Sequence, residues 1–155
     1  MVFEKLDSFP YKEMSILVMI NFASSLSITS LLSYAGFMVL DLGLVNDIEK
    51  AGYYAGALCG SLFFGRLLTS FAWGLMADIF GRRIVLLLSC MSIFVFNLIF
   101  GFASNYWEAI TIRFIMGLIN PIVGITKTLV TELCNETHET KGMGLTTGAW
   151  SLGMV

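Results

Sequence analysis

Long apolar runs separated by short polar segments set the pattern of this sequence. The first run, 14–40, holds no charged residue over 27 positions, which exceeds the roughly 20 residues that a helix needs to cross a bilayer. The apolar region of a signal peptide is about half as long and precedes a small-residue cleavage site, which is not clear here. We therefore interpret 14–40 as a membrane-spanning helix.

Further apolar runs predict four more helices. These predicted helices cover 51–77, 84–103, 109–133 and 142–155, the last of them truncated. The polar segments around them are 1–13, 41–50, 78–83, 104–107 and 134–141. The pattern predicts an all-α membrane protein in which 1–13 is a cytosolic tail and 14–155 carries about four and a half transmembrane helices.

The composition agrees with a membrane protein and excludes several classes of function. Hydrophobic residues make up 57% of the chain and charged residues 13%, against about 25% charged residues in soluble domains. The net charge of −2 and the lack of a basic stripe argue against a nucleic-acid partner. The Cys and His residues lack metal-site spacing, and no enzyme motif is visible. We expect a lipid-embedded protein with no enzymatic activity, metal or cofactor.

The basic residues of the polar segments are unevenly distributed, which predicts the orientation of the helices. Five of them lie in the tail and in the second and fourth segments between helices: Lys5, Lys12, Arg82, Arg83 and Lys141. The first such segment has Lys50 and the third has none. Because cytosolic loops carry the excess of Lys and Arg, the N-terminus and the turn at 78–83 are predicted to face the cytosol.

Small and polar residues inside two of the runs predict contacts between helices. Gly56, Gly60 and Gly65 would let a neighbouring helix approach helix two closely. Helix one carries Asn21 and several Ser and Thr residues. Such side chains line cavities or form hydrogen bonds between helices, so we expect Asn21 to face the interior of the bundle.

The turn between helices two and three has the most specific spacing in the chain, GLMADIFGRRIVL. Gly81 permits a sharp reversal that a Cβ atom would hinder. Asp78 can attract the positive end of a neighbouring helix or pair with an Arg. Such contacts would latch one conformation and release in another. The alternative is a plain positive-inside anchor formed by Arg82 and Arg83.

This turn resembles the signature of the major facilitator superfamily, G-x-L-a-D-r-x-G-R-R/K-x-x-l. The matching residues are Gly74, Asp78, Gly81, Arg82, Arg83 and Leu86. Met76 replaces the usual Leu, and Ile79 replaces a frequent Arg, which removes one charge. The resemblance implies the N-terminal part of a twelve-helix bundle, and it favours the latch over the anchor.

Arg113 is the second informative charge, because a cation buried in a membrane is expensive unless it is paired or hydrated. RFIMGLINPIVG resembles the superfamily motif R-x-x-x-G of helix four through Arg113 and Gly117. In the family this Arg is associated with proton coupling and the central cavity. Met116 and Ile119 depart from the motif. The alternative for Arg113 is snorkelling to the outer headgroups.

Three further charged residues lie within predicted helices two and four. Lys127 follows Arg113 by 14 residues, close to four helical turns, so both cations would lie on one face and share a polar cavity, unless Lys127 snorkels. Glu132 would either pair with Arg82 or stay solvated. Arg66, midway along helix two, is expected to find an acidic or carbonyl partner in helix four or in another half of the protein.

YYAG, FGRLLTSFAWGLMAD, RFIMGLIN and TELC together resemble the zinc-induced facilitator-like branch of the drug:proton antiporter group. Asn120 fits that branch, while Pro121 replaces a frequent Gly and would kink helix four. Members of the branch are proton- or cation-coupled exporters with varied substrates. The candidate substrate and proton pathway is therefore Asn21, Arg66, Arg113, Gly117, Asn120 and Lys127.

The resemblance implies a transporter that moves a small molecule or ion by alternating access, through proton-coupled antiport. Its expected partners are the solute, the coupling proton and a C-terminal half of the same protein, in a plasma or vacuolar membrane. The alternative is a non-transporting sensor or a truncated pseudotransporter of the same fold. A channel is disfavoured, because no filter-like loop or charge ring is visible.

Overall fold

The computed structural model describes residues 9–44 and 48–155, without the side chains at 48, 49, 136 and 137. Over these residues it has six α-helices: α1 (Tyr11–Asp41), α2 (Ile48–Phe80), α3 (Arg82–Gly101), α4 (Tyr106–Leu118), α5 (Ile122–Leu133) and α6 (Glu136–Leu152). The predicted helical bundle is confirmed. The predicted tail and the first polar segment lie partly outside the described residues.

Four stretches of the described chain are long and apolar enough to cross a membrane. They are Tyr11–Asp41, Lys50–Phe80, Arg82–Gly101 and Tyr106–Leu133. Large apolar side chains such as Leu67, Phe71 and Phe94 are exposed on their outer faces. A lipid environment accommodates that surface, whereas water would not.

Helix boundaries differ from the sequence predictions at several places, including the turn at 78–83, where α2 extends to Phe80 and α3 begins at Arg82. The first helix begins at Tyr11, so that 11–13 belong to it and not to the tail. The segment 134–141 was predicted to be a loop, and this prediction is wrong, because α6 begins at Glu136. The backbone N–H groups of His138 and Glu139 donate to the Asn135 carbonyl at 2.8 and 2.9 Å. Low hydropathy marks this segment as polar, but its residues still form a helical turn.

The prediction of one continuous helix over 109–133 is also wrong. Ile119, Asn120 and Pro121 separate α4 from α5. Proline has no backbone N–H and cannot complete the hydrogen-bond ladder of a helix. The consequence is a full interruption in the middle of the fourth span, stronger than the kink that Pro121 predicts.

Two apolar clusters lie at opposite ends of the bundle. One joins the starts of α1 and α3 to the end of α2 and to α5 along its length, with Met14 and Leu129 among its residues. The other joins the ends of α1 and α3 to the starts of α2 and α4, with Val39, Ala51 and Ala109. The middle of the bundle holds buried polar side chains together with apolar ones such as Leu62 and Met116.

One pair of glycines brings α2 and α4 into backbone contact. A Cβ atom on Gly65 would meet the backbone at Phe114 and Leu118, and one on Gly117 would meet the backbone of Leu62. Among the described residues, nothing lies within 4 Å of such an atom on Gly56 or Gly60. The predicted close approach along helix two is therefore confirmed at Gly65, and no described helix makes it at Gly56 or Gly60, because α4 packs at a single position.

We expect Gly117→Ala to lower the free energy of unfolding of the full-length protein by about 1–3 kcal/mol, because the added methyl group meets backbone that cannot move aside. Gly60→Ala is the matched control, and it should be neutral or slightly stabilising because alanine favours helix. Thermal unfolding in detergent measures both variants. Equal midpoints would contradict the close approach of α2 and α4.

Candidate functional site

Buried polar side chains form a layer in the middle of the bundle. The members of this layer that are nearly inaccessible are Asn21, Ser24, Ser25, Ser89, Arg113, Asn120, Thr126 and Thr146. They come from α1, α3, α4, α5, α6 and the interruption before α5. Polar side chains are rare at such a depth and are retained mostly for function or for bonds between helices. We take this polar layer as the candidate functional site.

The interruption between α4 and α5 is tolerated because side chains of α2 and of Asn120 replace the hydrogen bonds that a continuous helix would make. Thr69 Oγ1 and Trp73 Nε1 both donate to the Leu118 carbonyl, at 2.9 and 2.6 Å. The Ile122 backbone N–H donates to Asn120 Oδ1 at 3.4 Å. Because lipid offers no replacement partners, broken backbone at this depth persists only where neighbouring groups satisfy it.

A cleft of about 410 Å³ runs beside the interruption, from the middle of α2 to its end. Its lining includes Arg66, Trp73, Gly74, Asp78, Arg82, Asn120 and Pro121. We call it the α2–α5 cleft. It unites two groups that the sequence treats separately, since Arg66 and Asn120 were assigned to the pathway and Gly74, Asp78 and Arg82 to the gating motif.

Arg66 has donors without acceptors in this cleft. Its Nε and Nη2 atoms are buried and have no hydrogen-bond partner in the described part of the chain. A carbonyl partner in helix four was one expectation from the sequence. The Leu118 carbonyl at the end of α4 accepts hydrogen bonds from Thr69 and Trp73 instead, and Arg66 does not reach it.

Arg113 is buried at the edge of the polar layer that adjoins the apolar cluster containing Val39, with 1% of its surface exposed. Its Cζ atom lies 3.9 Å from the centre of the Phe100 ring, and Nη1 donates to the Met116 sulfur at 3.7 Å. Tyr34 interacts with the same guanidinium. Arg113 forms no ion pair within the described residues, so an aromatic ring compensates its charge where a carboxylate usually would.

Lys127 lies in different surroundings from Arg113. It is exposed and lines a second cleft, of about 120 Å³, between α1, α5 and α6. Asn21 lines this cleft too, and its Oδ1 accepts a hydrogen bond from Thr126 Oγ1 at 3.4 Å. The prediction that both cations share one cavity assumed a regular helix of 14 residues, and the interruption at Pro121 removes that regularity.

Thr146 and Trp150 complete the second cleft from α6, and sequence reasoning missed both. The signal was present, because a threonine pair and a tryptophan interrupt the last apolar run.

Arg82, the first residue of α3, connects its own helix to α2 and α5 through its side chain. Nη2 lies 3.2 Å from Asp78 Oδ1, and Nε lies 2.9 Å from Glu132 Oε1. Gly81, with φ of +92°, makes the reversal between α2 and α3 in a region that favours glycine. We call Asp78, Arg82 and Glu132 the Arg82 cluster. Arg83 is exposed and lines a separate groove with Lys12 and Glu13.

Comparison with known proteins decides the family. The profile of the Major Facilitator Superfamily matches residues 17–155. The chain belongs to the major facilitator superfamily. The turn at 78–83 and the Arg82 cluster therefore lie in a member of that family, as the resemblance of the turn implies.

The named relatives of this major facilitator chain are much longer than it is. Protein ZINC INDUCED FACILITATOR 1 of Arabidopsis thaliana is 36% identical over 147 residues, which cover 95% of this chain and 30% of the relative. Protein ZINC INDUCED FACILITATOR-LIKE 1 of the same plant is 35% identical, covering 95% and 31%. The multidrug transporter mfsB of Aspergillus fumigatus is 27% identical, covering 96% and 25%. No solved structure shows a significant match.

For this major facilitator protein we expect an energetic coupling between Arg82 and Glu132 of about 0.5–1 kcal/mol, because both charges are partly solvated. A double-mutant cycle with Arg82→Gln and Glu132→Gln, followed by thermal unfolding of the full-length protein, measures it. The same cycle between Arg82 and Glu108, an acid at the start of α4, should give no coupling. Purely additive effects for Arg82 and Glu132 would contradict the ion pair.

We also expect Phe100 and Arg113 to be coupled by about 2 kcal/mol, because the cation–π contact is shielded from water. Phe100→Leu should destabilise the protein strongly, and much less in an Arg113→Met background. Phe114→Leu is the matched control, since the Phe114 ring stacks on Phe64 at 6.1 Å and has no cation over it within the described residues. An identical loss from Phe100→Leu in both backgrounds would show that the ring only fills space.

Proposed function

We propose that the full-length protein is a membrane transporter that moves a small solute by alternating access, with coupled movement of protons in the opposite direction. The observation that carries this proposal is Arg113, a fully buried cation with no ion-pair partner among the described residues. Such a charge in a membrane protein marks a path for ions, protons or substrate by default. The relatives named as transporters support the same reading.

Arg113 would act by stabilising negative charge that comes near it. A guanidinium favours the ionised form of an approaching carboxyl group, so that the group releases its proton beside Arg113 and takes it up again elsewhere. Phe100 holds the guanidinium in place without neutralising it. A carboxylate partner in the same position would cancel the charge and remove this effect.

The Arg82 cluster would serve as a latch on the cytosolic side. Through the ion pairs of Arg82 it ties the α2–α3 turn to the end of α5. If these contacts separate when the bundle opens at this side, they form part of a two-state element. The lysine and arginine distribution supports a cytosolic position for the turn.

We expect vesicles that contain the full-length protein to release protons when a transported solute is added, and Arg113→Ala to lose the dependence of flux on the pH gradient. Arg113→Lys keeps the charge and should retain part of it. A pH-sensitive dye inside the vesicles reports the proton movement, with a panel of small anions, amines and metal chelates as solutes. An unchanged gradient response in Arg113→Ala would remove the coupling role.

We expect Asp78→Asn to slow turnover about tenfold, equivalent to about 1.4 kcal/mol, while the apparent KM changes little. The latch affects the exchange between conformations and not the contacts with solute. Asp41→Asn, at the exposed end of α1, is the matched control and should behave as wild type. Wild-type turnover in Asp78→Asn would favour the plain anchor at the membrane surface.

A further inference from the structure

Two side chains of the α2–α5 cleft, one half-buried and one fully buried, present buried hydrogen-bond donors without acceptors. They are Arg66, through Nε and Nη2, and Asn120, through Nδ2, each without a hydrogen-bond partner in the region the structure describes. Asn120 is 2% exposed. Both residues line the same cleft. A buried donor left unpaired destabilises the protein, and more so when it is charged, so the cleft is built to receive an acceptor.

The neighbouring polar groups do not supply that acceptor. The Leu118 carbonyl is bonded by Thr69 and Trp73, and Asn120 Oδ1 accepts the N–H of Ile122. Asp78 lines the far end of the cleft and pairs with Arg82. It lies 12 residues beyond Arg66 along α2, about 18 Å at the rise of an α-helix.

The chemistry of the donors defines the missing group. Nε and Nη2 form one edge of the planar guanidinium, and their N–H bonds point in parallel at the spacing of two carboxylate oxygens. Asn120 Nδ2 offers a third, neutral donor. All three unpaired atoms are donors, so a cation or a second donor does not fit, and a planar anion does.

We propose that the α2–α5 cleft is a carboxylate-binding site, in which Arg66 forms a bidentate ion pair and Asn120 donates a further hydrogen bond. The carboxylate comes either from a small soluble molecule or from an Asp or Glu side chain elsewhere in the full-length protein. The site stands apart from Arg113 and from the second cleft at Lys127. Experiments on this site measure binding and stability, so their outcome does not depend on whether the protein transports a solute.

The first arm uses the full-length protein in detergent with benzoate as the probe and benzamide as its neutral control of the same shape. For a soluble carboxylate, benzoate raises the unfolding temperature and benzamide does not. Arg66→Gln then weakens benzoate binding roughly tenfold or more. Lys141→Gln, an exposed charge outside the cleft, is the matched control and leaves binding unchanged.

Two further variants test the geometry of the site. Arg66→Lys keeps the charge but cannot form the bidentate contact, so its benzoate affinity falls between those of wild type and Arg66→Gln. Asn120→Asp keeps an oxygen for the Ile122 N–H but replaces the free donor with a charge that repels the anion, and binding weakens. Benzoate affinity in Arg66→Lys equal to that of wild type would overturn the bidentate contact.

The second arm looks for a carboxylate within the protein. Each Asp and Glu of the remaining membrane segments is changed to Asn or Gln, in wild type and in Arg66→Gln. If an internal carboxylate occupies the site, benzoate has no effect, and one of these changes destabilises wild type but restores stability to Arg66→Gln. If benzoate does not bind and no acidic residue is coupled to Arg66, the proposal is wrong, whatever Arg66→Gln does to stability alone.

Discussion

The need to satisfy every backbone polar group within a membrane governs this bundle. Hydrocarbon offers no hydrogen bonds, so an interrupted helix persists only if its neighbours provide them. Here the carbonyl of Leu118 is bonded by Thr69 and Trp73 of α2. These side chains reach it because Gly65 and Gly117 let the two backbones touch. The close approach, the interruption and the cleft beside it are therefore one feature, and loss of the glycine contact would undo the rest.

The interruption also explains how the bundle separates its charges. Apolar clusters lie toward both ends of the described helices, with the polar layer in the middle of the bundle and the Arg82 cluster at the α2–α3 turn. Within that layer Arg113 faces an aromatic ring of α3, while Arg66 faces the cleft on α2. Lys127, beyond the interruption, faces α1 and α6. Three cations thus occupy three environments, and each can respond to a different group without cancelling another.

Features that depend on local sequence could be predicted, and features that depend on packing could not. The length of the apolar runs and the charged turn at Gly81 gave the spans and the reversal, because each is a property of a short segment. The ion pair of Arg82 with Glu132 was one of two alternatives open from the sequence. The separation of Arg113 from Lys127 was likewise only one of two alternatives, because choosing it required knowing that the helix is interrupted before Pro121. The choice of Gly65 over Gly56 and Gly60 escaped prediction, since only the position of α4 distinguishes them.

The central claim is that these helices cross a bilayer, with the Arg82 cluster at the cytosolic side and the α3–α4 connection at the other. Cysteine accessibility tests it directly, in a full-length protein whose native cysteines are replaced and which sits in sealed vesicles with the outer side facing out. Phe80 and Trp107 are both exposed and suit single cysteine substitutions. A membrane-impermeant maleimide should label Trp107→Cys in intact vesicles and Phe80→Cys only after the vesicles are opened. Labelling of both positions from the same side would contradict the account.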